Sequence, residues 1–399
     1  MKHRAYKFRF YPTDEQAKLL AQTFGCVRFV YNTILRWRTD AYYQSKAKIG
    51  YIQASSKLTE LKKQPEFAFL NDVSCVPTQQ ALRHQQTAFK NFFEGRTKYP
   101  AFKKKTQEQS AEFTKSAFKY TDGQLFIAKC KEPLNVRWSR QLPNHPTTIT
   151  ISKDCAGRYF VSCLCEFENQ ILPKSDNNIG IDVGIKHLFV TDSGIKIDNP
   201  RLTAKYATKL AKAQRALSRK KLGSANRAKA KLKVARIHAK ISDCRLDNLH
   251  KLSRKLINEN QVVCVETLRV KNMIKNPKLA KHIADASWGR LIQQLEYKAD
   301  WAGRTVVKIN QFFPSSKRCS NCGYTLPFLA LDTRHWNCPE CKTTHDRDIN
   351  AAKNILTAGL AGLAFGENVS LDARCARPEP GISGLRLSYD WSASRRGEG

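Results

Sequence analysis

Basic and apolar side chains alternate along residues 3–11, His-Arg-Ala-Tyr-Lys-Phe-Arg-Phe-Tyr, the period-two pattern of a strand with one face on a core. Pro12-Thr13 ends that pattern and opens a helix, with Thr13 and Gln16 at capping-box spacing. From there to about Phe93 the period is helical. Leu19, Leu20, Phe24, Val27, Phe29, Val30, Tyr31, Ile34 and Leu35 are expected on the packed side, and Arg36, Arg38, Lys57, Lys62 and Lys63 on the solvent side. The basic run Lys103-Lys-Lys105 leads into a strand-rich stretch from about Phe113 to Phe167. Its runs are 147–152 and 159–164, and its hairpin signals are Thr121-Asp-Gly123 and Asp154-Cys-Ala-Gly157. Strand 3–11 is expected to pair with these runs and close a β-barrel around an inserted helical domain.

Ile171–Asn178 reads as a linker by composition. The run Ile179-Gly-Ile-Asp-Val-Gly-Ile185, the stretch Lys186–Asp192 and the turn at Ser193-Gly194 then read as strand, hairpin, strand, the way an RNase H-like sheet begins. From about Asn199 to Leu256 the chain is helical and very basic, interrupted at Gly223-Ser224. Its runs Ser218-Arg-Lys-Lys221 and Arg227–Lys233 hold too few acids for i,i+4 pairing to be their purpose, so phosphate contact by Arg219, Lys220 and Lys221 is expected.

Three apolar runs of the C-terminal half carry an acid at or near one end: Asp182, Glu266 closing Val262–Glu266, and Asp348 within Asp346-Arg-Asp-Ile-Asn-Ala-Ala352. Singly, each has an ordinary explanation as a turn, a strand-end charge or a helix cap. A buried carboxylate nevertheless needs a positive partner, and three brought together could hold one or two Mg²⁺ ions, the machinery of phosphodiester cleavage. Asp346 is the natural helix cap and Asp348 the candidate ligand in the first turn beside Asn350, although the spacing alone lets the two exchange roles.

Composition adds a partner. Lys and Arg number 69 against 34 Asp and Glu, a net charge of +35 that points to a polyanion. No apolar stretch of ~20 residues and no signal-peptide pattern is present, so a membrane is not expected. With 399 residues, two or three domains are expected. Thirteen cysteines, an odd count without an export signal, point to a reducing cytosol. Four of them form Cys319-Ser-Asn-Cys322 and Cys338-Pro-Glu-Cys341, separated by fifteen residues, the spacing of a four-cysteine zinc ribbon. Four thiolates saturate Zn²⁺, so one structural ion is expected. The other nine cysteines read as small core or surface residues. His345 lies just beyond, placed to orient the Asp346–Asp348 turn or to meet a phosphate.

These motifs together resemble the TnpB family, RNA-guided nucleases encoded by insertion sequences and relatives of type V CRISPR effectors. The resemblance rests on Gly180-Ile-Asp-Val-Gly-Ile-Lys186, Val265-Glu266-Thr-Leu, the two C-x-x-C pairs after Phe313-Pro-Ser-Ser316, and His345-Asp-Arg-Asp-x-Asn-Ala-Ala352. Weaker matches are Arg28–Asn32, Ala88–Phe93, His250-Lys251 and Trp288-Gly289, and the whole runs from about residue 4 to about 358.

The family implies a multi-domain α/β architecture. It comprises a β-barrel wedge domain (1–12 and 101–170), a helical recognition domain (13–100), an RNase H-like RuvC nuclease domain (178–312 and 346–358, with a basic helical hairpin at 200–256) and an inserted zinc ribbon (313–345). The tail at 359–399, with Pro378-Glu-Pro-Gly381 and Arg395-Arg396, reads as disordered by its own composition. The family also implies that Asp182, Glu266 and Asp348 are catalytic and that Cys319, Cys322, Cys338 and Cys341 hold Zn²⁺; the mechanism expected from the three acids uses two Mg²⁺ ions, with Asp182 shared between them. The implied partners are a guide RNA and target double-stranded DNA cut next to a short adjacent motif, in the cytoplasm or on the nucleoid. Tyr51 and Gln79 fall where family members read that motif, and Lys251 joins the basic run on nucleic acid. The rival readings are a DNA-strand transposase and a regulator of transposition without guided nuclease activity.

Overall fold

Strand β1 (Lys2–Tyr11) keeps its period: Tyr6, Phe8 and Phe10 are buried while Lys7 and Tyr11 face water. Each such burial contributes about 1.5–3 kcal/mol, enough to fix which way the strand faces. The computed structural model describes residues 2–364. β1 pairs antiparallel with β7 (Tyr159–Phe167) and β5 (Asn135–Arg137), and β7 continues through β6 (Thr148–Lys153) to β2 (Gln109–Thr114). Both hairpin signals form turns, with Asp122, Gly123 and Gly157 at positive φ.

The ribbon of β3 (Phe118–Thr121) and β4 (Gln124–Ile127) packs Leu125 and Ile127 into the core of Phe8, Phe10, Phe113 and Ile149. The ladder order β2-β6-β7-β1-β5 is open rather than closed into the expected barrel. Pro133, Pro143 and Pro146 flank the short β5 and interrupt donors where closure would run. Burial pushes the Cys163 and Cys165 thiols up to about 12 and about 11, as befits inert core residues.

Between β1 and β2 lie α1 (Asp14–Ser45), α2 (Tyr51–Lys63) and α3 (Cys75–Phe93). The Thr13–Gln16 capping box opens α1 as expected. Arg38 departs from its expected solvent face. It is buried, donates to Gln86 at 2.9 Å and lies 5.2 Å from the Phe89 ring, because α3 packs across α1 there. Burial lowers its pKa.

The second half is built on a mixed sheet in the order β10-β9-β8-β11-β12. Its strands are β8 (Asn178–Val183), β9 (His187–Thr191), β10 (Lys196–Asp198), β11 (Val262–Glu266) and β12 (Thr305–Ile309). β8 to β10 meander antiparallel; β11 and β12 run parallel to β8. The crossover from β10 to β11 is α4 (Leu202–Lys205), α5 (Ala207–Ser218) and α6 (Ala225–Glu259), with Gly223 at positive φ and Ser224 capping α6. The next crossover is α7 (Val270–Met273), α8 (Pro277–Ala286) and α9 (Trp288–Ala302). β13 (His335–Asn337) and β14 (Thr344–Asp346) form a small ribbon before α10 (Arg347–Ala364).

α10 continues beyond the expected start of the tail at residue 359: Leu360 and Leu363 pack on the cluster of Val262, Cys264 and Val307. The remainder of the tail lies outside the described residues. The two halves dock through Arg158 on Asp243 of α6 at 2.5 Å and Arg4 stacked 4.3 Å over Trp301 of α9. Among the described residues no helix is long and apolar enough to cross a membrane.

Candidate active site

The register of two strands brings the first two acids together. β8 and β11 run parallel, and their last ladder pair is Ile181 with Val265, so the next residue on each strand is an acid, Asp182 and Glu266. Neighbouring strands lie about 4.8 Å apart, and side chains two positions apart share a face. Asp182 therefore shares a face with Gly180, and Glu266 with Cys264. That face is covered by α10. A Cβ on Gly180 would stand 2.2 Å from the Ala352 carbonyl oxygen, and one on Gly359 2.4 Å from Cys264 Sγ. Two glycines thus let the helix lie directly on the strands, and its first turn carries Asp348.

The electrostatics show the result. Asp182 holds its proton well above the usual carboxylate range, chiefly through burial and then through the charges of Glu266 and Asp348; Arg347 and Arg334 only partly offset them. Glu266 Oε1 accepts a 2.6 Å hydrogen bond from Ser315 Oγ, and Arg334 Nη1 lies 3.3 Å from Asp348 Oδ1. Asp346 has a different task. Its Oδ1 accepts from the backbone N–H groups of Asp348 and Ile349 at 3.0 and 3.2 Å, and its other oxygen meets Lys196 Nζ at 2.6 Å. Burial alone would raise its pKa, but these donors hold it below the usual range. Asp346 is the cap, and Asp348 is the acid whose charge bears on Asp182.

The four cysteines converge more tightly: their sulfurs all lie within 4.8 Å of one another. Cys319–Cys341 and Cys322–Cys338 sulfurs are 3.6 Å apart, close to the roughly 3.8 Å edge of a tetrahedron with Zn–S bonds of about 2.3 Å. Each pair ends in a left-handed residue, Gly323 after the first and Lys342 after the second, and each first cysteine's carbonyl accepts from that residue's N–H at 3.0 Å. The donor set fits one structural metal ion. His345 is not free to orient the acidic turn or meet a phosphate. Alternation along β14 turns it inward, 3.0 Å from Cys319 Sγ and against Trp336, while Asp346 faces α10.

Sequence reading gave no linking role to the side chains that join the two clusters. Asn350 Nδ2 donates to the Arg318 carbonyl at 2.7 Å, and Asn354 Nδ2 donates to those of Ser315 and Arg318 at 2.8 and 2.6 Å. The signal was their i,i+4 spacing on α10 directly after the cysteines. Ser315, Arg334 and Lys196 carried no comparable mark. Arg219, Lys220 and Lys221 sit exposed at the α5–α6 turn and, among the described residues, form no ion pair. Lys251 pairs with Asp247 at 2.8 Å on the exposed face of α6. Tyr51 begins α2 beneath Arg83, and Gln79 is exposed on α3.

Comparison with known proteins adds family membership. Residues 162–277 match a family model described as a probable transposase, and 288–355 one described as a Cas12f1-like TNB domain. Residues 1–47 match one described as a helix-turn-helix domain, although strand β1 and the single helix α1 fill that stretch. A chain of the Cas12f1–sgRNA–target DNA complex superposes with a TM-score of 0.51 at 15% identity, covering 86% of this chain and 83% of that one, a likeness of fold. A protein of Streptomyces pristinaespiralis named "putative RNA-guided DNA endonuclease" is 54% identical over 369 residues, 92% of each chain. One of the same description from Escherichia coli K12 is 31% identical over 94% of this chain and 97% of its own. A TnpB-like protein of Acanthamoeba polyphaga mimivirus is 25% identical over 89% of this chain and 73% of its own. At these identities and coverages the chain belongs to the TnpB-like family of RNA-guided DNA endonucleases.

Proposed function

We propose that the chain is an RNA-guided DNA endonuclease that binds a guide RNA, opens target double-stranded DNA beside a short adjacent motif, and hydrolyses its backbone at Asp182, Glu266 and Asp348. The observation that carries this reading is the placement of Asp182 and Glu266 at the ends of two paired parallel strands beneath the helix that carries Asp348, where burial first and then the charges of Glu266 and Asp348 raise the pKa of Asp182. The strand order with β8 between antiparallel β9 and parallel β11 supports a RuvC-like nuclease domain over 178–312 and 346–358. The five-stranded antiparallel sheet is then the wedge domain (1–12 and 101–170), the helices of 13–100 the recognition domain, and 313–345 the zinc ribbon.

Hard carboxylate oxygens suit Mg²⁺, and a buried carboxyl whose pKa is raised by burial and by two neighbouring acids sits where a cation would be stabilising. When bound, two Mg²⁺ ions would stabilise phosphate charge and make a water acidic enough to attack. The chain's own residues do the rest. Ser315 holds Glu266, Asp346 starts the helix that presents Asp348, and Asn350 and Asn354 anchor the ribbon to α10, while Cys319, Cys322, Cys338 and Cys341 would hold the Zn²⁺ that stabilises the ribbon. The exposed cations at Arg219, Lys220, Lys221 and Lys251 hold the nucleic-acid backbone, and Tyr51 and Gln79 face the adjacent motif. Base pairing carries sequence choice. The site of action is the cytoplasm, at the nucleoid when on DNA.

The test is to purify the chain, sequence the RNA that accompanies it, and supply matching DNA with and without Mg²⁺. Cleavage that needs Mg²⁺ and the matching sequence is expected, with none by Asp182→Ala; absence of bound RNA, or cutting by that variant, overturns the reading. A second reading, DNA-strand transfer, is favoured by the transposase description of residues 162–277. It predicts DNA joined to a 3′-hydroxyl rather than cut ends.

A further inference from the structure

A pocket of about 430 Å³ opens beside Glu266, lined also by Arg269, Asn272, Met273, Gln311 and Phe312. It lies between the loops that leave the parallel strands β11 and β12, the ordinary place for a ligand in an open sheet of this kind. Thr267 Oγ1 donates to the Ile309 carbonyl at 2.7 Å and clamps the two loops together. Asn310 Oδ1 accepts from the Phe312 N–H at 2.8 Å and props the second loop.

Two adjacent phenylalanines then part company. Phe313 packs into the cluster of Val307 and Ile309, whereas Phe312 is 81% exposed. Exposed rings occur elsewhere in the chain, at Phe93 and Phe328 for example, but Phe312 stands at the mouth of a pocket that also holds Glu266. Around it the side chains of Arg269, Asn272 and Gln311 are exposed and, among the described residues, make no hydrogen bond or ion pair, so their polar groups are available to a ligand. An aromatic face, a cation and two amides beside a carboxylate cluster match an unpaired nucleobase: the ring stacks on its face, the amides meet its edge, and the cation meets the adjoining phosphate. A base inside a duplex presents no free face, so the ligand is single-stranded.

We propose that this pocket seats one base of the single-stranded DNA adjoining the phosphate to be cut, stacked on Phe312. The proposal rests on the nuclease reading and names the substrate's seat within it. It separates this role from that of the carboxylates: Phe312 sets how the strand lies, Asp182 whether it is cut.

The test uses the full-length Asp182→Ala chain and a single-stranded oligodeoxynucleotide carrying 5-iodouracil, which on irradiation bonds to an aromatic ring stacked against it. Mass spectrometry should place the adduct on Phe312. Phe312→Ala and Phe312→Leu should weaken oligonucleotide binding by roughly 5- to 100-fold, the usual worth of one base–aromatic stack, while Phe312→Trp keeps it. Leucine retains an apolar surface without a π face, so its failure separates stacking from simple burial, and the exposure of the position leaves the fold of these variants intact. Adducts on other aromatics with none on Phe312, or unchanged binding by Phe312→Ala, overturn the base seat. The readout requires neither cutting nor a guide. An adduct on Phe312 in a protein whose wild-type chain cuts no DNA would overturn the nuclease reading and leave the seat standing.

Discussion

The thiol cluster and the carboxylate cluster sit at opposite sides of the same helix start, yet they are assembled in different ways. The four cysteines come from one stretch of 23 residues, 319 to 341, and two local turns aim them at a common point. The three acids come from positions 182, 266 and 348, and no local geometry relates them. They meet because two strands pair in one register and two glycines admit a helix onto them. Attraction also differs. The sulfurs close to 3.6 Å, while Asp182 is raised chiefly by burial and then by the like charges of Glu266 and Asp348. A locally built site depends on its ligands; a globally built one depends equally on residues that touch nothing reactive.

The largest expected effect tests the acids themselves. Asp182→Ala should reduce guided DNA cleavage by about 10³-fold or more, the worth of several kcal/mol of metal-borne charge stabilisation, while binding of target DNA in a gel-shift assay stays near wild type. If binding falls in parallel, the acid is holding the fold rather than the chemistry. Next comes the local site. Cys338→Ser should release the ribbon's metal, measured by atomic emission. It should also lower both Tm and cleavage, because metal affinity here is folding free energy and Asn350 and Asn354 transmit the loss to α10. Cleavage at the normal rate without metal would uncouple the two clusters.

The global site breaks at its glycines. Gly180→Ala should destabilise by about 1–3 kcal/mol in chemical unfolding, as overpacking does, and should impair cleavage beyond what stability explains, since α10 must shift and take Asp348 with it. Gly25→Ala is the control: nothing lies within 4 Å of a Cβ there, it sits inside α1, and it should stabilise by roughly 0.5–1 kcal/mol. Equal effects at the two glycines would contradict the close approach of helix and strand.

A smaller effect follows from protonation. Because Asp182's folded pKa lies above its unfolded one, the native state binds the extra proton, so its contribution to stability is full below the ordinary carboxylate range. That contribution is lost as pH rises through the folded pKa. Without Mg²⁺, Tm should therefore decline with rising pH above the ordinary carboxylate range. Asp182→Asn should flatten the decline, and added Mg²⁺ should oppose it. The thiol site has the opposite sign, since metal must displace protons from sulfur and binds better as pH rises. Smallest is the surface charge: replacing Arg219, Lys220 and Lys221 together by alanine should reduce the salt slope of RNA binding by up to about 2, at ~0.7 per lost phosphate contact. An unchanged slope would make that turn a solvated helix end.

Local chemistry was written in the sequence wherever neighbours along the chain decide it. The Thr13–Gln16 capping box, the turns at Asp122-Gly123 and Gly223-Ser224, the alternation of β1 and the two C-x-x-C knuckles are each settled by a few adjacent residues. Asp346 as cap was favoured but not fixed by spacing; its contacts with the backbone two and three residues on, and with Lys196 of β10, settle it. Other outcomes needed residues far apart to come into contact. Arg38 is buried because α3 crosses α1, and His345 faces sulfur because β13 and Trp336 lie across from it. The ladder β2-β6-β7-β1-β5 stays open where prolines remove donors, and α10 runs on past residue 359 because Gly359 meets Cys264. The meeting of Asp182, Glu266 and Asp348 is of that second kind. The sequence by itself supplied three acids on apolar runs, but only strand register and helix packing decide that they share one face. Burial and like-charge repulsion exist only once that face has formed.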